Sequence, residues 1–163
     1  MIRVARSVYF TALGLWVGGL ATLGALVAPT VFQKAGSRAE AGRIFGAILG
    51  RFGWAQIVLA ALVLVSAWIL RSAPDMRWPR VRMVLVVLLC VLVVVSVFGV
   101  NPAVAQAAGK MGDLERVPLD DPGRVYFQSL HRWSERLAGA TLLAGFALLV
   151  LSGASLKGGP VGA

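Results

Sequence analysis

Residues 83–100 read MVLVVLLCVLVVVSVFGV, and the next charged side chain is Lys110. An α-helix rises 1.5 Å per residue, so crossing a hydrocarbon core of about 30 Å takes roughly 20 apolar residues. A helix with Val and Leu on every side has no face to offer water. The stretch therefore reads as a membrane-crossing helix. β-Branched residues are mediocre helix formers in water, but in lipid the backbone must satisfy its own hydrogen bonds, and a helix does that within one segment.

Three further windows, 7–33, 52–70 and 137–156, also lack any charged side chain. Of the 163 residues, 58% are hydrophobic and 14% charged, against about 25% charged in a soluble domain. The expected fold is all-α: a polytopic membrane protein with four transmembrane helices in a bundle. One domain covers residues 1–163, with spans at about 7–32, 52–71, 82–101 and 124–152. The chain opens like a secretory signal, with Arg3 and Arg6 before an apolar stretch. That stretch exceeds the roughly 7–15 residues of a signal core, so it is expected to be a retained first span.

The connections carry their own signals. Gly14 and Gly18 are four apart in the first span and are expected to let another helix approach closely. Pro29 should end or kink that span. In 37–51 the apolar positions Ala41, Ile44, Phe45, Ile48 and Leu49 recur on one helical face. This segment is either a short amphipathic helix at the interface between the first two spans or an early start to the second. Arg71, Arg77, Arg80 and Arg82 crowd the next turn against the single acid Asp75, and Asn101-Pro102 is expected to close the third span. Asp120-Asp121 before Pro122 reads as a turn and helix start. With no breaker across 124–136, one helix is expected from about Gly123 to about Ser152, standing proud of the bilayer.

The formal net charge is +9. The basic residues flank apolar spans, so they anchor helices at the headgroups, and nucleic acid is not expected as a partner. The Arg-dense turn at 71–82 favours the cytoplasm for that loop and Arg3 and Arg6 agree, so both termini are expected in the cytoplasm; the membrane expected is a bacterial inner membrane. Of the five tryptophans, Trp54, Trp68, Trp78 and Trp133 read as interfacial anchors and Trp16 as a packing residue.

One polar cluster could carry chemistry. On a helix, Arg124, Gln128, His131 and Glu135 share a face, with His131 and Glu135 close enough to hydrogen-bond. Joined by Asn101 and Ser134, they form the expected binding pocket, with His131 as proton acceptor or metal ligand. The ordinary alternative is a solvated helix end whose long side chains reach the interface. No cofactor is expected. Haem between helices needs two axial ligands and His131 is the only histidine, so a second would come from Met76, Met83, Met111 or another chain. Copper through His131 meets the same shortage, and Cys90 stands alone. There is no phosphate loop, nucleophile elbow or catalytic carboxylate pair, so no enzymatic activity is expected.

Trp16-Val-Gly18-Gly19, Pro29-x-x-Phe32 and Ala41-Gly42-x-x-Phe45 resemble the opening of the DUF4149 family, whose animal members are called transmembrane protein 205. The second half resembles it further: Asn101-Pro102, then Asp121-Pro122-x-Arg124-x-x-Phe127-x-x-x-His131-x-x-Ser134. The resemblance implies four transmembrane helices and no established enzymatic activity. Animal members are associated with resistance to drugs and metal compounds, which implies handling of a small solute or metal species. The family often has Asn seven residues after the histidine, where this chain has Ala138. The alternatives are an accessory subunit of a larger membrane complex and a haem- or metal-binding redox subunit. Expected partners are the lipid bilayer and either further copies of the chain or a larger complex.

Overall fold

The computed structural model describes residues 1–73, 78–111 and 117–154. Four long helices account for nearly all of them: α1 (Ile2–Lys34), α2 (Arg38–Ser72), α3 (Pro79–Met111) and α4 (Pro122–Ala154). At 33 to 35 residues, each is about 50 Å long and outruns the hydrocarbon core. They run up and down in sequence order. Each packs on its chain neighbour, and α4 closes back on α1. Both ends of the described chain therefore lie at one end of the bundle, called here the terminal end. The α1–α2 and α3–α4 connections lie at the far end. All four helices are long and apolar enough to cross a membrane, and the chain is an integral membrane protein.

The centre line of each inward face alternates spacings of four and three, with Ala12, Val17, Gly53 and Ser66 buried beside it. The centre-line positions are Tyr9, Leu13, Trp16 and Leu20 in α1; Gln56, Ala60, Val63, Ala67 and Leu70 in α2; Arg82, Val86, Leu89 and Val93 in α3; and Thr141, Gly145, Leu148 and Ser152 in α4. Such a pattern keeps a narrow seam of each helix facing the bundle axis. The outer faces, with Leu15, Val65, Val84, Val91, Leu143 and Val150 exposed, are more uniformly apolar than the seam. In water this would be inverted. In lipid it is stable, because helix association there depends on close packing and interhelical hydrogen bonds rather than on hiding apolar surface.

Neither Pro29 nor Asn101-Pro102 ends its helix. In α1 a π-helical turn occupies Leu23–Val27 and α-helix resumes through Lys34; in α3 a π turn occupies Val95–Val100 and α-helix resumes through Met111. Each π turn ends two residues before its proline. A proline lacks an N–H and its ring crowds the carbonyl four residues back. The wider π turn moves that carbonyl aside, so the helix continues.

α3 repeats α1 position for position. Tyr9 and Arg82, Leu13 and Val86, Trp16 and Leu89, Leu20 and Val93, and Pro29 and Pro102 are pairs at one constant separation in the sequence. The chain is thus two similar hairpins, each a helix with a π turn and proline followed by a helix with a side-chain cap. Ser37 caps α2: its Oγ accepts from the Glu40 N–H at 3.1 Å, while Glu40 Oε2 accepts from the Gly36 N–H at 3.1 Å. Asp121 caps α4, its Oδ1 accepting from the N–H groups of Gly123 (2.9 Å) and Arg124 (3.1 Å). The amphipathic stretch 37–51 is therefore the first turns of α2, one of the two arrangements the sequence left open.

The four-helix seam is tight only from the terminal end to the π turns. Beyond them, residues 28–34 and 101–111 pack mainly against their own hairpin partners, through Phe32–Phe45 (ring centroids 6.4 Å apart) in the first hairpin and Asn101–Ser134 in the second. Trp54 against Phe98, at 5.8 Å, sits where the hairpins part.

The close helix approach is not at Gly14 and Gly18. A Cβ added at either meets nothing within 4 Å, because both lie off the seam. The tight glycines are Gly19, where a Cβ would come within 2.6 Å of the Phe52 ring, and Gly145, where it would come within 2.8 Å of Val17. Trp16 is buried, and Trp54, Trp68, Trp78 and Trp133 face outward. Cys90 is half-buried, with its thiol directed at the Ala60 carbonyl at 3.9 Å.

Candidate functional site

At the far end, the structure places the anticipated residues in separate small partnerships. Ser134 Oγ donates to Asn101 Oδ1 at 3.2 Å, tying α4 to α3 just after the π turn. Arg124 folds back on the turn before α4, its Nη1 donating to the Val117 carbonyl. Gln128 is half-buried. His131 Nε2 lies 3.3 Å from Glu135 Oε1, with the two side chains 51% and 65% exposed. The Phe127 ring stacks on the imidazole, with centroids 5.9 Å apart and planes 11° from parallel. The i, i+4 spacing sets both contacts of His131 along the outside of α4. His131 and Glu135 are thus exposed, while Asn101 and Ser134 bond each other between α3 and α4. Among the described residues no group of three or more His, Cys, Asp or Glu could hold a metal ion. Met76, one of the partners weighed for His131, lies outside the described residues, as do Asp75 and Arg77.

The terminal end holds a polar layer that sequence reasoning missed. Arg82 was counted among the arginines crowding the α2–α3 turn, but it is 2% exposed and points into the seam. Its Nη2 donates to the Leu70 carbonyl at 3.0 Å, while its Nη1 is buried with no hydrogen-bond partner. The inward position of Arg82 follows from where α3 begins. The α3 helix begins at Pro79 with Trp78 in a left-handed conformation (φ 49°), and the Arg82 N–H closes the first turn on the Trp78 carbonyl at 3.1 Å. Arg82 is thus already helical, and standing four residues before Val86 it falls on the same inward stripe. Arg71, by contrast, stays outside over the Trp68 ring, 3.9 Å from its centroid.

Tyr9 faces the same layer from α1 and is fully buried. Its hydroxyl and Ser152 Oγ, from the last turns of α4, are 2.9 Å apart and either can donate. The layer thus draws one polar group from each of α1, α3 and α4 and a carbonyl from α2. Nothing local in the sequence marks it, because the seam it belongs to is set by packing between distant residues.

A family model described as a domain of unknown function, DUF4149, matches residues 11–113. The chain belongs to the DUF4149 family. In this DUF4149 protein the matched stretch takes in Arg82 and Asn101, whereas Tyr9, Ser152 and the α4 residues from Arg124 to Glu135 lie outside it. Among curated proteins and solved structures, nothing matches the chain.

Proposed function

We propose that this DUF4149 protein is a non-enzymatic membrane protein that handles a small solute, and that the solute is held in the Tyr9–Arg82–Ser152 layer rather than at the start of α4. The observation that carries the reading is the Arg82 guanidinium, buried in the seam with one nitrogen lacking an acceptor. Ionisable groups inside a membrane bundle are expensive, and they mark binding or conduction sites more often than packing. The exposed His131–Glu135 pair carries no comparable cost, because water or headgroups solvate it.

The terminal end is assigned to the cytoplasm, with Arg3, Arg6, Arg71 and Arg80 beside it. Reporter fusions at the C-terminus and at residues 35–37 test that assignment, which is reversed if only the C-terminal fusion is active outside the cell.

The solute reading is tested on purified protein in mild detergent. Inorganic anions, amino acids, sugars and divalent cations are each added to wild type and to Arg82→Met, and thermal unfolding is followed. At least one class should raise the wild-type Tm in a saturable way that the variant lacks. A panel with no Arg82-dependent member removes the layer as a solute site.

A further inference from the structure

A guanidinium stays protonated throughout the physiological range, so Arg82 brings a full positive charge into the seam. Among the described residues no carboxylate pairs with it. Its one acceptor, the Leu70 carbonyl, belongs to the C-terminal end of α2, which carries roughly half a negative charge. Arg82 is also the fourth residue of α3, whose N-terminal end carries roughly half a positive charge. The two helix ends offset each other, and the layer keeps about the whole charge of the guanidinium. Tyr9 and Ser152 are neutral and leave that balance unchanged.

The group without a partner in the layer is a donor: Nη1 of Arg82 is a buried N–H group that lacks an acceptor. The Tyr9–Ser152 pair adds a second potential donor: when Ser152 supplies the proton of their hydrogen bond, the Tyr9 O–H is left to point at a ligand. A site with surplus donors and a net positive charge matches an acceptor that is itself negative. Planar or tetrahedral oxygen anions suit a guanidinium edge best, because they accept along its N–H directions.

We propose that the layer is an oxyanion site, taking one phosphate or carboxylate group between Nη1 of Arg82 and the Tyr9 hydroxyl. This rests on reading the layer as the place where a solute is held. The group arrives as a free anion or as a lipid headgroup, since Arg82 lies within the first turns of α3, near the bundle end.

The test uses the full chain in a neutral detergent. Thermal unfolding is measured with inorganic phosphate, with acetate, with chloride at matched ionic strength, and with phosphatidylglycerol against phosphatidylcholine. The expected result is a saturable rise in Tm with phosphate or acetate, with phosphatidylglycerol, or with both, and none with chloride or phosphatidylcholine. Response to the free anions alone identifies a soluble ligand; response to phosphatidylglycerol alone identifies a headgroup. Arg82→Met should abolish the shift, and Tyr9→Phe should weaken apparent affinity about tenfold, as for a lost hydrogen bond to a charged acceptor. Asp75→Asn should leave the shift in place. If the shift is seen only in Asp75→Asn, the chain's own carboxylate fills the position and the proposal is overturned. It is overturned equally if no oxyanion acts, or if Arg82→Met responds like wild type. An Arg82-dependent shift from a sugar or a cation instead would reject the anion while keeping the solute site. The absence of any Arg82-dependent shift rejects both.

Discussion

Nη2 of Arg82 donates to the Leu70 carbonyl oxygen at 3.0 Å, so the first turn of α3 clasps the last turn of α2. The same carbonyl also accepts from the Ala73 N–H at 3.1 Å. Removing Arg82 therefore leaves no buried acceptor without a donor, while it relieves a buried charge. Taking a single ion out of water costs several kcal/mol even after relaxation, and an apolar side chain of similar length removes that cost. Arg82→Met is accordingly expected to unfold at the wild-type temperature or above it in ligand-free detergent. A purely structural arginine would give a clear loss in the same thermal scan.

The Tyr9–Ser152 hydrogen bond joins the first and last helices across the full length of the chain. Tyr9→Phe and Ser152→Ala should each cost about 1 kcal/mol, and the double variant should cost little more than either alone. Membrane interhelical hydrogen bonds average near the lower part of that range, about 0.6 kcal/mol. Reversible unfolding of the four proteins of the cycle reads the coupling. Fully additive losses would show that the two hydroxyls do not act on each other.

Gly145 faces Val17 so closely that a Cβ would sit 2.8 Å from its Cγ2. Gly145→Ala should destabilise the bundle by about 1–3 kcal/mol through overpacking, and Val17→Ala in the same chain should recover part of the loss. Gly14→Ala, where nothing lies within 4 Å, should be neutral or slightly stabilising, since Ala is the better helix former. Equal losses at Gly145 and Gly14 would contradict the seam described here.

Pro102 and the π turn before it set the phase of the last turns of α3. Pro102→Ala restores a backbone N–H and lets 95–104 relax to regular α-helix, which turns the following residues by about 100°. Asn101 would then leave Ser134. In a Cys90→Ala background, a short thiol cross-linker should join cysteines placed at 101 and 134 efficiently with Pro102 and poorly with Pro102→Ala. Undiminished cross-linking would mean that the π turn and its phase persist without the proline.

His131 and Glu135 are exposed on α4 and meet each other 3.3 Å apart. Pairs of this kind contribute about 0.3–0.5 kcal/mol. Replacing both by Ala should move stability by no more than that and should leave any Arg82-dependent Tm shift intact. A lost shift in the His131→Ala, Glu135→Ala protein would return the solute site to the start of α4.

Four membrane-crossing helices, the length of the fourth, expected from about Gly123, and the depth of Trp16 were legible in the amino-acid sequence. Each depends on local composition alone: a charge-free window either is or is not long enough for a bilayer, and an Asp before a proline starts a helix by itself. Which face of each helix turns inward was not legible. A soluble helix announces its buried face by an apolar stripe, but here lipid accepts apolar residues on every side, so the hydrophobic periodicity is nearly flat. The inward face is chosen instead by shape and by hydrogen bonds between distant residues, as Gly145 receives Val17 and Tyr9 meets Ser152. Only that tertiary choice takes Arg82 from the headgroups into the seam.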